Sequence, residues 1–278
     1  MGKIGIVTDS TCDFEPNWYK KNDVLMVPLS VRFGEEIFRD WLDIRPAEFY
    51  KRLQSERVLP KTSQPSVADF DAAYKKLAVT CDHIISVHLS SKLSGTIASA
   101  EIAAKNAEVP VTLIDGKQAS LATGLIVSEL AVARTRGASI TELKSLANDI
   151  IRTMRVFFYV DTLKFLEKGG RLGKASALVG LLLNIKVVLT LDDGEVAPAA
   201  KLRGRKKVFK AITAMVKEAA PSKNASFGFA HGAAPDSLKL IKDELRAVGF
   251  NIEGAPDRVI GAVIGTYTGP GAFAVVVY

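Results

Sequence analysis

Three short segments hold most of the side chains that could bind or react: Thr8-Asp9-Ser10-Thr11, Thr62-Ser63-Gln64-Pro65-Ser66 and Ser90-Ser91-Lys92-Leu93-Ser94-Gly95-Thr96. Each is rich in hydroxyls and stands just ahead of a helix-forming stretch. A helix start offers free N–H groups and the positive end of the helix dipole, and hydroxyls add adjustable donors. Together these make a cradle for the paired oxygens of an anion. The same residues also cap helices without any ligand, and for a single serine capping is sufficient explanation. What is missing limits the kind of anion. No G-x-x-x-x-G-K-[ST] loop exists and no G-x-G-x-x-G follows a strand, so neither a P-loop nor a dinucleotide site is indicated. Lys92 is the one lysine inside these loops. A small singly charged group such as a carboxylate suits them better than a triphosphate with its metal ion.

Hydrolysis is the rival chemistry. A serine nucleophile needs a base. The chain has three histidines, His83, His88 and His231, and lacks both G-x-S-x-G and S-x-x-K. His88 ends an apolar run close to Ser91 and Ser94, which allows an esterase or acyltransferase in which Ser94 or Ser91 pairs with His88. Alternation along Ile84–Leu89 equally lets His88 be a packed residue. No His, Cys, Asp or Glu cluster shows metal-ligand spacing, so no metal is expected.

The loops must be positioned by the elements around them. Ile4–Val7, Val24–Leu29, Ile84–Leu89 and Val111–Ile114 read as strands. Helices are expected from Pro16, from Pro46 to about Leu53, from Ser66, after Thr96, and near 119–135 and 140–153. Val31–Asp40 reads as a hairpin turning at Gly34-Glu35, and Lys61–Ser66 as a polar loop. Strand–helix alternation argues for a parallel α/β sheet, whose post-strand loops gather on one edge. A second pattern opens at Phe157–Val160. It includes a helix over Leu163–Lys168 stopped by Gly169-Gly170, an apolar helix over Ala175–Leu183, and a hairpin around Asp192-Asp193-Gly194. A helix over Lys206–Ala219, a strand over Ser226–Ala230, a helix over Pro235–Val248 and a strand over Ala272–Val277 complete it. The expected fold is two α/β domains, residues 1–152 with a mainly parallel sheet and residues 153–278 with a mixed or antiparallel one.

Charge divides at the same place. The 278 residues carry 37 Lys+Arg against 30 Asp+Glu; residues 1–152 are neutral overall, and 153–278 hold the whole surplus of +7. Residues 164–210 alone hold 11 basic and 4 acidic side chains. Such a stretch is either a solvated surface or a docking face for something acidic. Aromatic residues do not interleave with it and no nucleic-acid fold signature is present, so a protein partner is expected and no nucleic acid. Two cysteines, Cys12 and Cys81, give no disulfide framework and suit a reducing cytoplasm. Val259 to Tyr278 is a run of twenty uncharged residues, but Thr266-Tyr267-Thr268-Gly269-Pro270-Gly271 interrupts it. Two buried elements joined by a turn are expected there, without stable membrane insertion.

Four motifs taken in order carry a resemblance. Thr62-Ser63-Gln64-Pro65-Ser66, Ser91-Lys92-Leu93-Ser94-Gly95-Thr96, Leu166-Glu167-Lys168-Gly169-Gly170-Arg171 and Gly265-Thr266-Tyr267-Thr268-Gly269-Pro270-Gly271 resemble those of the DegV family. These are bacterial fatty-acid-binding proteins that serve as the B subunit of fatty acid kinase. The resemblance spans nearly the whole chain. It implies a long-chain fatty acid in a tunnel between two domains, with no other cofactor and no catalysis by this chain. Thr62 and Ser94 would donate to the carboxylate, with Ser63 and Ser91 as neighbours. A separate ATP-using kinase would phosphorylate that carboxylate, and Arg171 and Arg203 would help dock it. Tyr267 stands where the family usually has histidine, one of the carboxylate's expected contacts, and its hydroxyl would donate in that place; Lys186-Val187 replaces the more usual lysine-proline. A buried methylene contributes about 0.8 kcal/mol, so a chain of ~15 methylenes gains on the order of 10 kcal/mol gross and dominates binding. Phe157, Phe158 and Ala175–Leu183 are candidate walls.

Overall fold

The computed structural model describes residues 2–56, 58–178, 185–220 and 222–278. The first part runs β1 (Ile4–Asp9), α1 (Pro16–Lys21), β2 (Val24–Val27), β3 (Ser30–Phe33), β4 (Glu36–Arg39) and α2 (Pro46–Ser55). It continues with β5 (Lys61–Ser63), α3 (Val67–Ala78), β6 (His83–His88), α4 (Thr96–Ala104), β7 (Val111–Asp115), α5 (Leu121–Thr135) and α6 (Ile140–Thr153). The rest is β8 (Arg155–Tyr159), α7 (Lys164–Lys168), β9 (Ile185–Asp192), β10 (Glu195–Arg203), α8 (Lys206–Ala219) and β11 (Phe227–His231). It ends with α9 (Pro235–Ala247), β12 (Asp257–Val259), α10 (Ala262–Thr268) and β13 (Phe273–Val277).

The first sheet is parallel throughout, in the order β2-β1-β6-β7. Its central strands are buried along nearly their whole length, as the continuous apolar runs require. The second sheet has six strands in the order β10-β9-β8-β13-β11-β12, antiparallel except for the β11/β12 pair. The expected α/β class, with a parallel first sheet and a mixed second one, is the fold observed. All strands of the parallel sheet precede residue 153 and all strands of the mixed sheet follow it. Helix α5 packs on both β1 and β11, so its buried length fills the space between the two sheets.

A third sheet, β4-β3-β5, departs from expectation. Lys61–Ser63 is a strand, not a loop, because Ser30–Arg32 leave a free edge that its backbone pairs with antiparallel. The apolar stretch from Ala175 is also different. Gly173–Leu178 forms a 3₁₀ turn, and residues 179–183 of the expected helix lie outside the described residues. The hairpin at Asp193-Gly194 is as expected: φ values of 47° and 84° fit a turn that matches strand twist.

The six-stranded sheet has two unlike faces. Phe157, Phe227, Phe229, Val275 and Val277 pack on one side with Val208, Ile212, Leu238 and Ile241 of α8 and α9. Val156, Ala230, Ala274 and Val276 face the other way, toward α5 and the first part. Ala230 sits directly beside Ala274 across the β11/β13 ladder. Small side chains on this face leave space that phenylalanines on the opposite face do not.

Candidate functional site

That space is a cavity of about 390 Å³. It falls within the ~300–1,000 Å³ typical of small-ligand sites. Its walls come from both parts of the chain: Leu29, Leu89 and Leu121 on one side, Phe158, Leu191 and Ala274 on the other. Phe158 lines it, whereas strand alternation turns Phe157 to the opposite core.

Polar groups gather at one rim. Thr62 reaches it from β5, Ser63 and Gln64 follow, Ser94 comes from the loop before α4, and Tyr267 comes from α10. The hydroxyls of Thr62 and Tyr267 lie 2.5 Å apart although 205 positions separate them in the chain. The oxygen of Ser94 is 2.9 Å from the Thr96 hydroxyl and accepts from the Thr96 N–H at 3.3 Å. Gln64 is braced by donating to Ser99 Oγ at 2.9 Å. Tyr267 fits because Gly169, at the end of α7, has no side chain; a Cβ there would collide with the ring. Arg171 also lines the cavity, with its guanidinium 5.1 Å from the centre of the Tyr267 ring.

Other expected residues lie elsewhere. Ser91 does not border the cavity; its hydroxyl donates to Asp115 at 2.6 Å. Arg203 is exposed at the end of β10. The Thr8–Thr11 loop, as hydroxyl-rich as the other two, turns inward instead. Thr8 donates to the Val87 carbonyl, Ser10 to Asp40 and Thr11 to Asp9, all fully buried.

Pairing of His88 with Ser91 or Ser94 is not what the structure shows. His88 is 0% exposed, with Nδ1 3.0 Å from Asp9 and Nε2 2.7 Å from Ser86. A carboxylate only accepts, so Nδ1–H serves Asp9, while Nε2 meets Ser86, which accepts from Tyr74 at 3.0 Å. Both ring nitrogens are taken, and neither His88 nor Ser86 borders the cavity. The alternation that permitted a packed histidine is the one realised.

Sequence patterning missed a buried acidic pair that anchors the rim. Asp13 accepts from the Gly261 N–H at 2.8 Å, from Trp41 at 3.3 Å and from Ser120 at 2.5 Å. Asp40 accepts from the Ala262 N–H at 3.0 Å and from Ser10 at 2.9 Å. Two carboxyls from the first part thus hold the start of α10, the helix that carries Tyr267. Burial pushes Asp13 up to about 7, against the lowering effect of its donors. Burial and then the neighbouring Asp13 push Asp40 up to about 8. The one sequence signal was Gly261 and Ala262 following a strand with no capping side chain of their own.

Among the described residues, no group of three or more His, Cys, Asp or Glu side chains could hold a metal ion, and no helix is long and apolar enough to cross a membrane.

Known proteins share this architecture. The family model described as "Uncharacterised protein, DegV family" matches residues 3–278. Protein DegV of Bacillus subtilis is 35% identical, covering 98% of each chain. A solved structure described as "Fatty Acid Binding of a DegV family Protein from Thermus thermophilus" superposes with a TM-score of 0.95 at 37% identity and covers 99% of each chain. A stearic acid-binding protein from Eubacterium ventriosum superposes with a TM-score of 0.91 at 26% identity, over 99% of this chain and 98% of its own. With a cavity between two α/β halves, the four motifs in place and a match over nearly its full length, the chain belongs to the DegV family.

Proposed function

We propose that the protein binds one long-chain fatty acid and presents its carboxylate to a separate ATP-using fatty acid kinase, which makes the acyl phosphate. The acyl chain lies along the apolar cavity. The carboxylate sits at the rim among Thr62, Ser63, Ser94 and Tyr267; Ser91, committed to Asp115, is left out of the set. The observation that carries this reading is a single continuous cavity, apolar along its walls and hydroxylated at one rim. The protein is a carrier that works in a reducing cytoplasm, and its basic second part, with Arg171 and Arg203, docks the kinase.

Organic extraction of protein purified from bacterial cells, followed by mass spectrometry, tests the reading. One long-chain fatty acid per chain is expected; protein that yields none would end it. Thr62→Ala and Ser94→Ala each remove a hydrogen bond to the carboxylate and should weaken fatty-acid binding about 10- to 100-fold without lowering Tm. Unchanged affinity in both variants would take them out of the head-group site. Arg203→Glu lies away from the cavity. It should cut phosphorylation by the partner kinase at least about tenfold, through lost charge complementarity, and leave lipid affinity unchanged.

A further inference from the structure

Two buried carboxyls carry the start of α10. Asp13 accepts from the Gly261 N–H and Asp40 from the Ala262 N–H, so this helix is seated on acids from the first part and not on a side-chain cap of its own. The seat is strained. Asp13 has φ 57°, and its donors Trp41 and Ser120 have φ 65° and 56°. Three non-glycine residues in the left-handed region thus meet at one carboxyl. Such conformations persist only where the surroundings enforce them, and they cluster where a structure switches. Asp9, Cys12, Tyr19 and Tyr50 lie around the pair, and each is acidic or neutral. The neighbouring basic side chains are engaged elsewhere: Arg39 with Asp43, Arg45 with Glu15, and His88 with Asp9 and Ser86, while Arg258 lies over the Phe14 ring. Among the described residues, no cation forms an ion pair with either acid.

We propose that this acid pair is a proton-operated latch on the cargo: the protonated pair seats α10, the seated helix holds the acyl chain, and ionisation of the pair loosens both. This rests on the fatty-acid reading and adds its regulation. Neither acid borders the cavity, but what they hold does: Ser120, the donor to Asp13, and Ile260, Val263 and Ile264 at the start of α10 all line it. An acyl chain packed on those side chains therefore favours the seated helix. A proton on the pair favours it too, because ionisation would set two like charges beside Asp9 in a space without water or a cation. Two ligands that favour the same state strengthen each other's binding. Burial raises Asp13 to about 7, and burial with the neighbouring Asp13 raises Asp40 to about 8, which sets the change near neutrality. The sign follows: cargo is held most tightly below about pH 7 and more weakly as pH climbs through 8.

The test measures 1-hexadecanol and hexadecanoate on delipidated protein from roughly pH 6.5 to pH 8.5. Each displaces an uncharged fluorescent apolar probe whose own affinity is determined at every pH. 1-Hexadecanol has no group that titrates in this range, so its pH dependence belongs to the protein. With about half a proton taken up per ligand, affinity should weaken about threefold per pH unit above about pH 7. Asp13→Asn with Asp40→Asn should flatten the slope to under about 1.5-fold per unit, and Asp13→Asn alone should give an intermediate one. Wild-type affinity that stays level or rises with pH, for whichever ligand binds, would overturn the inference. So would a slope that Asp13→Asn leaves unchanged, which would assign the titration to other groups. Wild-type protein that binds neither ligand would instead overturn the fatty-acid reading on which the inference rests.

Discussion

Ala274→Phe is expected to lower long-chain fatty-acid affinity on the order of 10²- to 10³-fold while leaving the protein folded. Ala274 is on β13 with its side chain on the cavity face, beside Ala230 of β11. A benzyl group there takes room that about four or five methylenes of the ligand would need, at ~0.8 kcal/mol each. Phenylalanine in a packed core typically costs about 1–3 kcal/mol through strain. Here the added ring enters open space, so the Tm of delipidated Ala274→Phe should match or exceed that of wild type. Calorimetric binding of hexadecanoate together with a thermal melt gives both numbers. Undiminished affinity would place the acyl chain elsewhere.

The second large effect concerns pH. Asp13 and Asp40 rise from ordinary carboxyl values to about 7 and about 8 in the folded protein. Between roughly pH 4 and pH 8 the folded state keeps protons that the unfolded chain has released. The sign follows: these groups contribute full stability below about pH 4 and lose it as pH climbs through 7 to 8. Tm should therefore fall between pH 6 and pH 9, by an amount reflecting on the order of a few kcal/mol. Asp13→Asn with Asp40→Asn retains an acceptor for Gly261 and Ala262 but removes the titration. In that variant the fall should be clearly shallower. A fall of equal steepness would assign the pH dependence to other groups.

Much of the fold was legible because each element announces itself locally. Ser66 with Asp69 and Ser139 with Glu142 form the reciprocal caps that start α3 and α6. Asp193-Gly194 dictates a tight hairpin in the same way. Lys61–Ser63 is the counterexample: three polar residues carry no strand signal, and only the free edge of β3 makes them one. The site was legible as a set of segments but not as a geometry. Two of the three hydroxyl-rich loops border the cavity, and the third points into the core because Asp9, Asp40 and the Val87 carbonyl lie within its reach. Nothing local separates those cases. The Thr62–Tyr267 contact and the clasp of Asp13 and Asp40 on α10 join residues more than 200 positions apart. No periodicity reports such pairs; the motif resemblance put Thr62 and Tyr267 at one carboxylate and said nothing of the two acids.

The anchoring of α10 decides when the cavity can exist at all. The cavity takes its walls from Leu29 through Val276, and its rim closes only when α10, the last helix, docks on Asp13 and Asp40. Without β13, which supplies Phe273, Ala274 and Val276, the compartment has no back wall. The compartment is thus a property of the whole fold: it exists only once segments more than 200 positions apart have met.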